Sequence, residues 1–195
     1  MPKRNAIKQY APNSYYHIYT RANNKISIFN SKTTTIFLNI AKLLLSSEQQ
    51  SDKFGRPYPN FHSQIELLAY AIMPNHFHLL VFQKNELDME KLMRSLMTRF
   101  SITYNKTHNH TGRVFESRYL AKRIETDAQL YHISRYIHLN PTDWQSGRNT
   151  SLNYYSGKYH ANWINPRKIL QLFPSYTAYL KFLKSYNNHD SPVIE

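Results

Sequence analysis

Residues 65 to 82 constrain this chain most. Ile65 to Ile72 and His76 to Phe82 are two runs rich in apolar, β-branched and aromatic residues, separated only by Met73-Pro74-Asn75. Each run has strand length and the Pro-Asn pair is turn chemistry, so the two read as antiparallel strands of one hairpin. Tyr15 to Thr20 reads as an earlier strand, followed by a turn at Asn23-Asn24. Ser31 is expected to cap a helix reaching about Ser46, with Ile36, Phe37, Ile40, Leu43 and Leu44 as its apolar stripe. Residues 47–62 are polar, contain Pro57 and Pro59, and read as a loop. A second helix is expected from Glu86 to about Tyr104, then a loop over Thr107 to Gly112 and a strand over Tyr119 to Ile124. A third helix covers Asp127 to Asn140, capped by Thr126 and stopped by Pro141.

This order of elements is the split βαβ arrangement. The fold class expected is α+β: a ferredoxin-like (RRM-like) antiparallel sheet with helices packed on one face, plus a C-terminal helical extension. Residues 1–148 form the first domain and 149–195 the extension. In the extension, residues 142–163 read as irregular, Asn165-Pro166 opens a short helix, and Pro174-Ser175 opens the last one, to about Ser185.

Charge narrows the function. Lys and Arg number 25 against 12 Asp and Glu, and the pI is near 9.8. A basic domain of this size meets polyanions, and nucleic acid is the commonest. Sixteen Tyr and ten Phe interleave with the cations, which suits unpaired bases stacking on rings. There are no cysteines, so disulfides and thiolate metal sites are excluded, and any metal must use His, Asp, Glu, Asn or Gln. No apolar run approaches the roughly 20 residues of a membrane span, and no secretory signal is visible at the start.

Two constellations carry candidate chemistry. His76 and His78 are two apart on a strand and leave the same face. Two such imidazoles need a partner, either a divalent metal on neutral ring nitrogens or hydrogen bonds of their own. About 0.5 His-x-His pairs are expected by chance in a chain with this many histidines, so the pair alone is weak. A second pair, His108 and His110, lies in an expected loop where nothing fixes a site's geometry. Tyr136 and Asn140 are four apart on the third helix, beside the stripe Leu130, Ile133 and Ile137, which brings the phenol over the strands. Equally, Tyr136 can be a core ring and Asn140 a helix cap before Pro141.

The run Ala71-Ile72-Met73-Pro74-Asn75-His76-Phe77-His78-Leu79-Leu80-Val81 resembles the His-hydrophobic-His motif of HUH single-strand endonucleases. More closely, the chain resembles the REP-associated tyrosine transposases, relatives of the IS200-like single-strand transposases. The match runs in order through Tyr16 to Asn24, Met73 to Val81, Gly112 to Tyr119, and Ser134-Arg135-Tyr136-Ile137-His138-Leu139-Asn140-Pro141, covering about residues 14–145. One departure is Ala22, where such proteins often carry Gly. The resemblance implies Tyr136 as nucleophile, and His76, His78 and Asn140 as ligands of Mg2+ or Mn2+. It also implies a single-strand DNA substrate bearing hairpin elements, a 5′-phosphotyrosine intermediate, and a bacterial cytoplasmic protein that reaches the nucleoid with its DNA. A homodimer, with the tyrosine serving its own or a partner's site, is left open.

Phosphate contacts are expected from Arg21 and from the segment 91–123. That segment holds Lys91, Arg94, Arg99, Lys106, Arg113, Arg118, Lys122 and Arg123 against Glu116 alone. About half of these are expected to be a merely solvated face. The rivals are a non-catalytic single-strand nucleic-acid-binding protein on an RRM-like fold, which needs no metal and no special tyrosine, and a metallophosphoesterase that activates water and needs no Tyr136.

Overall fold

The computed structural model describes residues 10–147 and 149–185. Four strands form one antiparallel sheet: β1 (Ser14–Arg21), β2 (Ile65–Met73), β3 (His76–Gln83) and β4 (Leu120–Ile124), in the order β2-β3-β1-β4. The two-residue turn Pro74–Asn75 joins β2 to β3, with Met73 opposite His76. Helix α1 (Ser31–Leu45) connects β1 to β2, and α2 (Asp88–His108) connects β3 to β4. Each crossover leaves a gap of one strand, filled by β3 in one unit and β1 in the other. This is the split βαβ order expected from the sequence.

The α+β class therefore stands, but the placement of helices on one face does not. Phe77, Leu79 and Val81 of β3, with Tyr16 and Ile18 of β1, pack under α1 and α2 in one core. Phe37 and Phe100 sit at its centre, the Phe37 ring 4.8 Å from Phe77. The opposite face carries Leu80 of β3 and is covered by α3 (Asp127–Leu139) through Leu130, Ile133 and Ile137. The physical reason lies in β3, where Leu79 and Val81 alternate with Leu80 and Phe82. A strand apolar at both parities must bury both faces.

From Asn149 on, the chain runs back along the free edge of β2. The Ile72 N–H donates to the Asn149 carbonyl, the Ser151 N–H to the Tyr70 carbonyl, and the Asn165 N–H to the Leu67 carbonyl. An otherwise unpaired edge is thereby closed. Helices α4 (Leu152–Tyr155), α5 (Arg167–Leu170) and α6 (Tyr176–Lys184) follow. Trp163 and Ile164 enter the first core, and Ile169, Tyr179 and Leu183 the second. The described part of the 149–195 extension thus shares both cores with the sheet.

Local corrections have local causes. The cap of α1 is Asn30, not Ser31: its side chain accepts from the Lys32 and Thr33 N–H groups while Thr33 Oγ1 accepts from the Asn30 N–H. Helix α2 runs four residues past Tyr104, carried by His108 stacked on the Tyr104 ring at 4.3 Å, and stops at left-handed Asn109. Thr126 caps α3 as expected, accepting from the Gln129 N–H. Ala22 is fully buried with an ordinary extended backbone (φ −65°), so its Cβ strains nothing there.

Candidate active site

The site lies between the sheet and α3. On β3, His76 and His78 share one face, as their spacing requires. Strand β1 runs beside it and contributes His17 and Tyr19 to the same face, Tyr19 directly opposite His78. Helix α3 crosses above and lowers Tyr136 onto this group. The Tyr136 ring stands edge-on to His78, centroids 5.3 Å apart, and to His17 at 6.0 Å. The His76 and His78 rings are 5.1 Å apart and near perpendicular. Nucleophile candidate and histidine pair thus meet within one chain.

Each histidine is held differently. His78 is 3% exposed, and its Nδ1 lies 2.9 Å from Nε2 of His17, itself 1% exposed. His76 is half-buried at the mouth, its Nδ1 2.6 Å from Oδ1 of Asn75 in the turn. Burial holds the His17 pKa down at about 4, helped by the charge of Lys122, which sits opposite it on β4. Burial also pushes His78 well below its ordinary value, with His17, His76 and Arg21 adding to the effect. Both rings are therefore neutral at physiological pH, the state in which imidazole binds a metal. His78 Nε2 and His17 Nδ1 are buried and make no hydrogen bond. A buried ring nitrogen without a partner is costly and calls for an explanation.

Asn140 is the C-cap of α3, its N–H donating to the Ile137 carbonyl at 3.3 Å with helical backbone angles (φ −58°). Among the described residues its side chain makes no hydrogen bond. No three His, Asp or Glu side chains among them converge on one point fit for a metal. The second His-x-His pair is spent elsewhere. His108 Nδ1 meets the Tyr104 carbonyl at 3.1 Å, and His110 Nδ1 meets Asn105 Oδ1 at 2.9 Å.

The candidate cations divide between two faces. Arg21, opposite His76 in the register, and Lys122, opposite His17, share the face of the site. Arg123 pairs with Tyr16, so it leaves the other face, toward the α1–α2 layer. Lys91, Arg94 and Arg99 lie on α2 in that layer; Arg94 bonds Glu90 at 2.9 Å, and Arg99 lies over the Tyr58 ring at 4.8 Å. Arg113 and Arg118 line a groove of about 900 Å³ between α2 and the segment 112–119, with Arg94, Glu90 and Glu116. The sheet thus puts Lys122 on the face of the site and its neighbour Arg123 on the other. His17 was missed as a site residue. The available signal was the alternation of β1, which puts a polar His17 between Tyr15 and Tyr19 on one face.

Residues 60–140 match the family model described as "Transposase IS200 like". Among solved structures, the chain is similar to a REP-associated tyrosine transposase bound to a REP hairpin. The identity is 12%, with 82% of this chain and 90% of that one covered and a TM-score of 0.56, a likeness of fold. A candidate transposase of Deinococcus radiodurans R1 overlaps more loosely, at 13% identity over 70% of this chain and 95% of that one, with a TM-score of 0.43. No curated protein matches the chain by sequence.

Proposed function

We propose, from the premise that this chain carries an IS200-like transposase domain over residues 60–140, that it is a metal-dependent single-strand DNA endonuclease and transposase with Tyr136 as nucleophile. The observation that carries this reading is the Tyr136 phenol seated against His78 and His17, over two strand histidines that share one face. The bland reading of Tyr136 as a core ring does not account for two buried imidazole nitrogens without partners beside it.

His76 and His78 would hold Mg2+ or Mn2+, with Asn140 as third protein ligand. Such an ion, when bound, offsets negative charge on the non-bridging phosphate oxygens. The chain's own groups do the rest. Arg21 and Lys122, flanking the site, draw in and orient the phosphodiester. The Tyr136 hydroxyl attacks phosphorus, the new bond runs from Oη to phosphorus, and the bond from phosphorus to the 3′ oxygen breaks. The phenolic proton ends, through solvent, on the departing oxygen, giving a 3′-hydroxyl and a 5′-phosphotyrosine. Attack by a 3′-hydroxyl reverses the step and joins strands without ATP. The REP hairpin held by the structurally similar transposase makes hairpin-bearing single strands the substrate to try first.

An RRM-like binding module without chemistry is disfavoured by packing. Such modules stack bases on the open face of their sheet, and here α3 covers that face through Leu130, Ile133 and Ile137. The test is incubation of the wild type and Tyr136→Phe with a hairpin-bearing single strand and Mn2+, followed by denaturing electrophoresis. A covalent protein–DNA adduct from the wild type and none from the variant is expected, with strand binding retained. Strand cutting at the normal rate by the variant would rule out this nucleophile.

A further inference from the structure

We propose that His17 is a positioning residue that fixes the tautomer of His78, leaving Nε2 of His78 with its lone pair toward the site. This deepens the reading above and rests on His78 being a metal ligand. The geometry is direct: His17 Nε2 and His78 Nδ1 are 2.9 Å apart, both rings are buried, and they lie nearly parallel, centroids 5.1 Å apart.

One hydrogen bond joins these two nitrogens, and two neutral rings can make it in two ways. If His17 donates, His78 carries its remaining hydrogen on Nε2, pointing into a buried place with no acceptor, and cannot ligate. If His78 Nδ1–H donates to His17 Nε2, the N–H without an acceptor is instead the buried His17 Nδ1–H, and the His78 Nε2 lone pair is left free to ligate. Only the second arrangement turns the orphan at His78 Nε2 into a functional atom. The two orphans themselves argue against a purely structural pair. A core position has no reason to keep two imidazoles that satisfy one nitrogen each, since apolar side chains of similar size would leave none unsatisfied. A ligand histidine whose other nitrogen is held by a second residue is, by contrast, the ordinary construction of a metal site. His76 is held in the same manner by Asn75 Oδ1, which can only accept if Nδ1 donates. That side-chain oxygen is assigned to the same task for the outer histidine, so both rings would present Nε2.

Two measurements test this. Long-range proton–nitrogen NMR of the metal-free wild type should find His78 as the Nδ1–H tautomer. Calorimetric titration with Mn2+ should show affinity reduced about 10- to 100-fold in His17→Leu. His17→Gln, whose side-chain oxygen can accept from His78 Nδ1–H, should recover most of it. His78→Ala is the control for the site itself. An Nε2–H tautomer in the wild type, or unchanged Mn2+ affinity in His17→Leu while His78→Ala loses it, overturns the role of His17 and leaves the metal site standing. Unchanged Mn2+ affinity in His78→Ala overturns both. The tautomer measurement needs no variant, so poor folding of His17→Leu does not spare the proposal.

Discussion

A histidine is defined by what its two nitrogens meet. At His108 and His110 one nitrogen of each ring is engaged at the end of α2, on the Tyr104 carbonyl and Asn105 Oδ1. At His78 one nitrogen is engaged by His17 and the other is buried without a partner. The two pairs should therefore behave differently. His76→Ala or His78→Ala should abolish Mn2+-dependent strand cleavage, whereas His108→Ala and His110→Ala should leave the rate within about twofold, since surface changes away from such features are small. Cleavage assays across Mn2+ concentrations check this, and loss in the second pair would mean the site has been misplaced. Asn140 separates ligand from cap in the same way. Its side chain makes no hydrogen bond among the described residues, so Asn140→Ala should cost less than ~0.5 kcal/mol of stability. Its cleavage should need more Mn2+, and excess Mn2+ should restore it. A lowered melting temperature with an unchanged Mn2+ requirement would make Asn140 structural.

The position of Tyr136 is a property of helix α3, and α3 is fixed by the tail. On its buried side, His138 Nδ1 lies 2.6 Å from the Tyr179 hydroxyl of α6 and His138 Nε2 lies 2.7 Å from Ser151 Oγ. The Tyr179 hydroxyl also donates to Ser134 Oγ at 3.2 Å. Burial holds the His138 pKa down at about 3, so the ring is neutral and joins the network as one donor and one acceptor. Removing one buried partner leaves others unsatisfied, so Tyr179→Phe should cost ~1–3 kcal/mol in urea unfolding. His138→Phe combined with Tyr179→Phe should cost less than the two separately, because the same bonds are lost once. Strict additivity would mean the residues act apart. The apolar stripe of α3 was readable from its period, and Thr126 from cap chemistry. Ser134 and His138 were not, because their partners lie 41 to 45 residues away for Tyr179 and in a segment whose local sequence carries no period.

For the whole molecule, local sequence marks each strand and helix well, because each is built on its own periodicity and ended by its own caps. What it does not mark is the face. Leu79 and Val81 against Leu80 and Phe82 give β3 two apolar sides, and only the assembled sheet decides which helix takes which. The same ambiguity governed the cations. Lys122 and Arg123 are neighbours in sequence, yet one faces the site opposite His17 and the other the α1–α2 layer opposite Tyr16. That makes them an internal control for the path of DNA. A strand whose phosphate is attacked by Tyr136 has to cross the face of the site, so Arg21 and Lys122 should carry its phosphates. Each phosphate contact to a single strand contributes ~0.7 to the slope of log affinity against log salt. Arg21→Gln with Lys122→Gln should therefore flatten the slope by ~1.4, lowering affinity about equally for all sequences. Arg123→Gln should leave the slope unchanged. Arg113→Gln with Arg118→Gln then reports whether the strand continues round the sheet into the groove beside α2. The measurement is fluorescence anisotropy of a hairpin with a single-stranded flank across a salt series. Equal effects of Lys122→Gln and Arg123→Gln would show that charge acts only in bulk, and no effect of the site-face pair would place the strand on the opposite layer, out of reach of Tyr136.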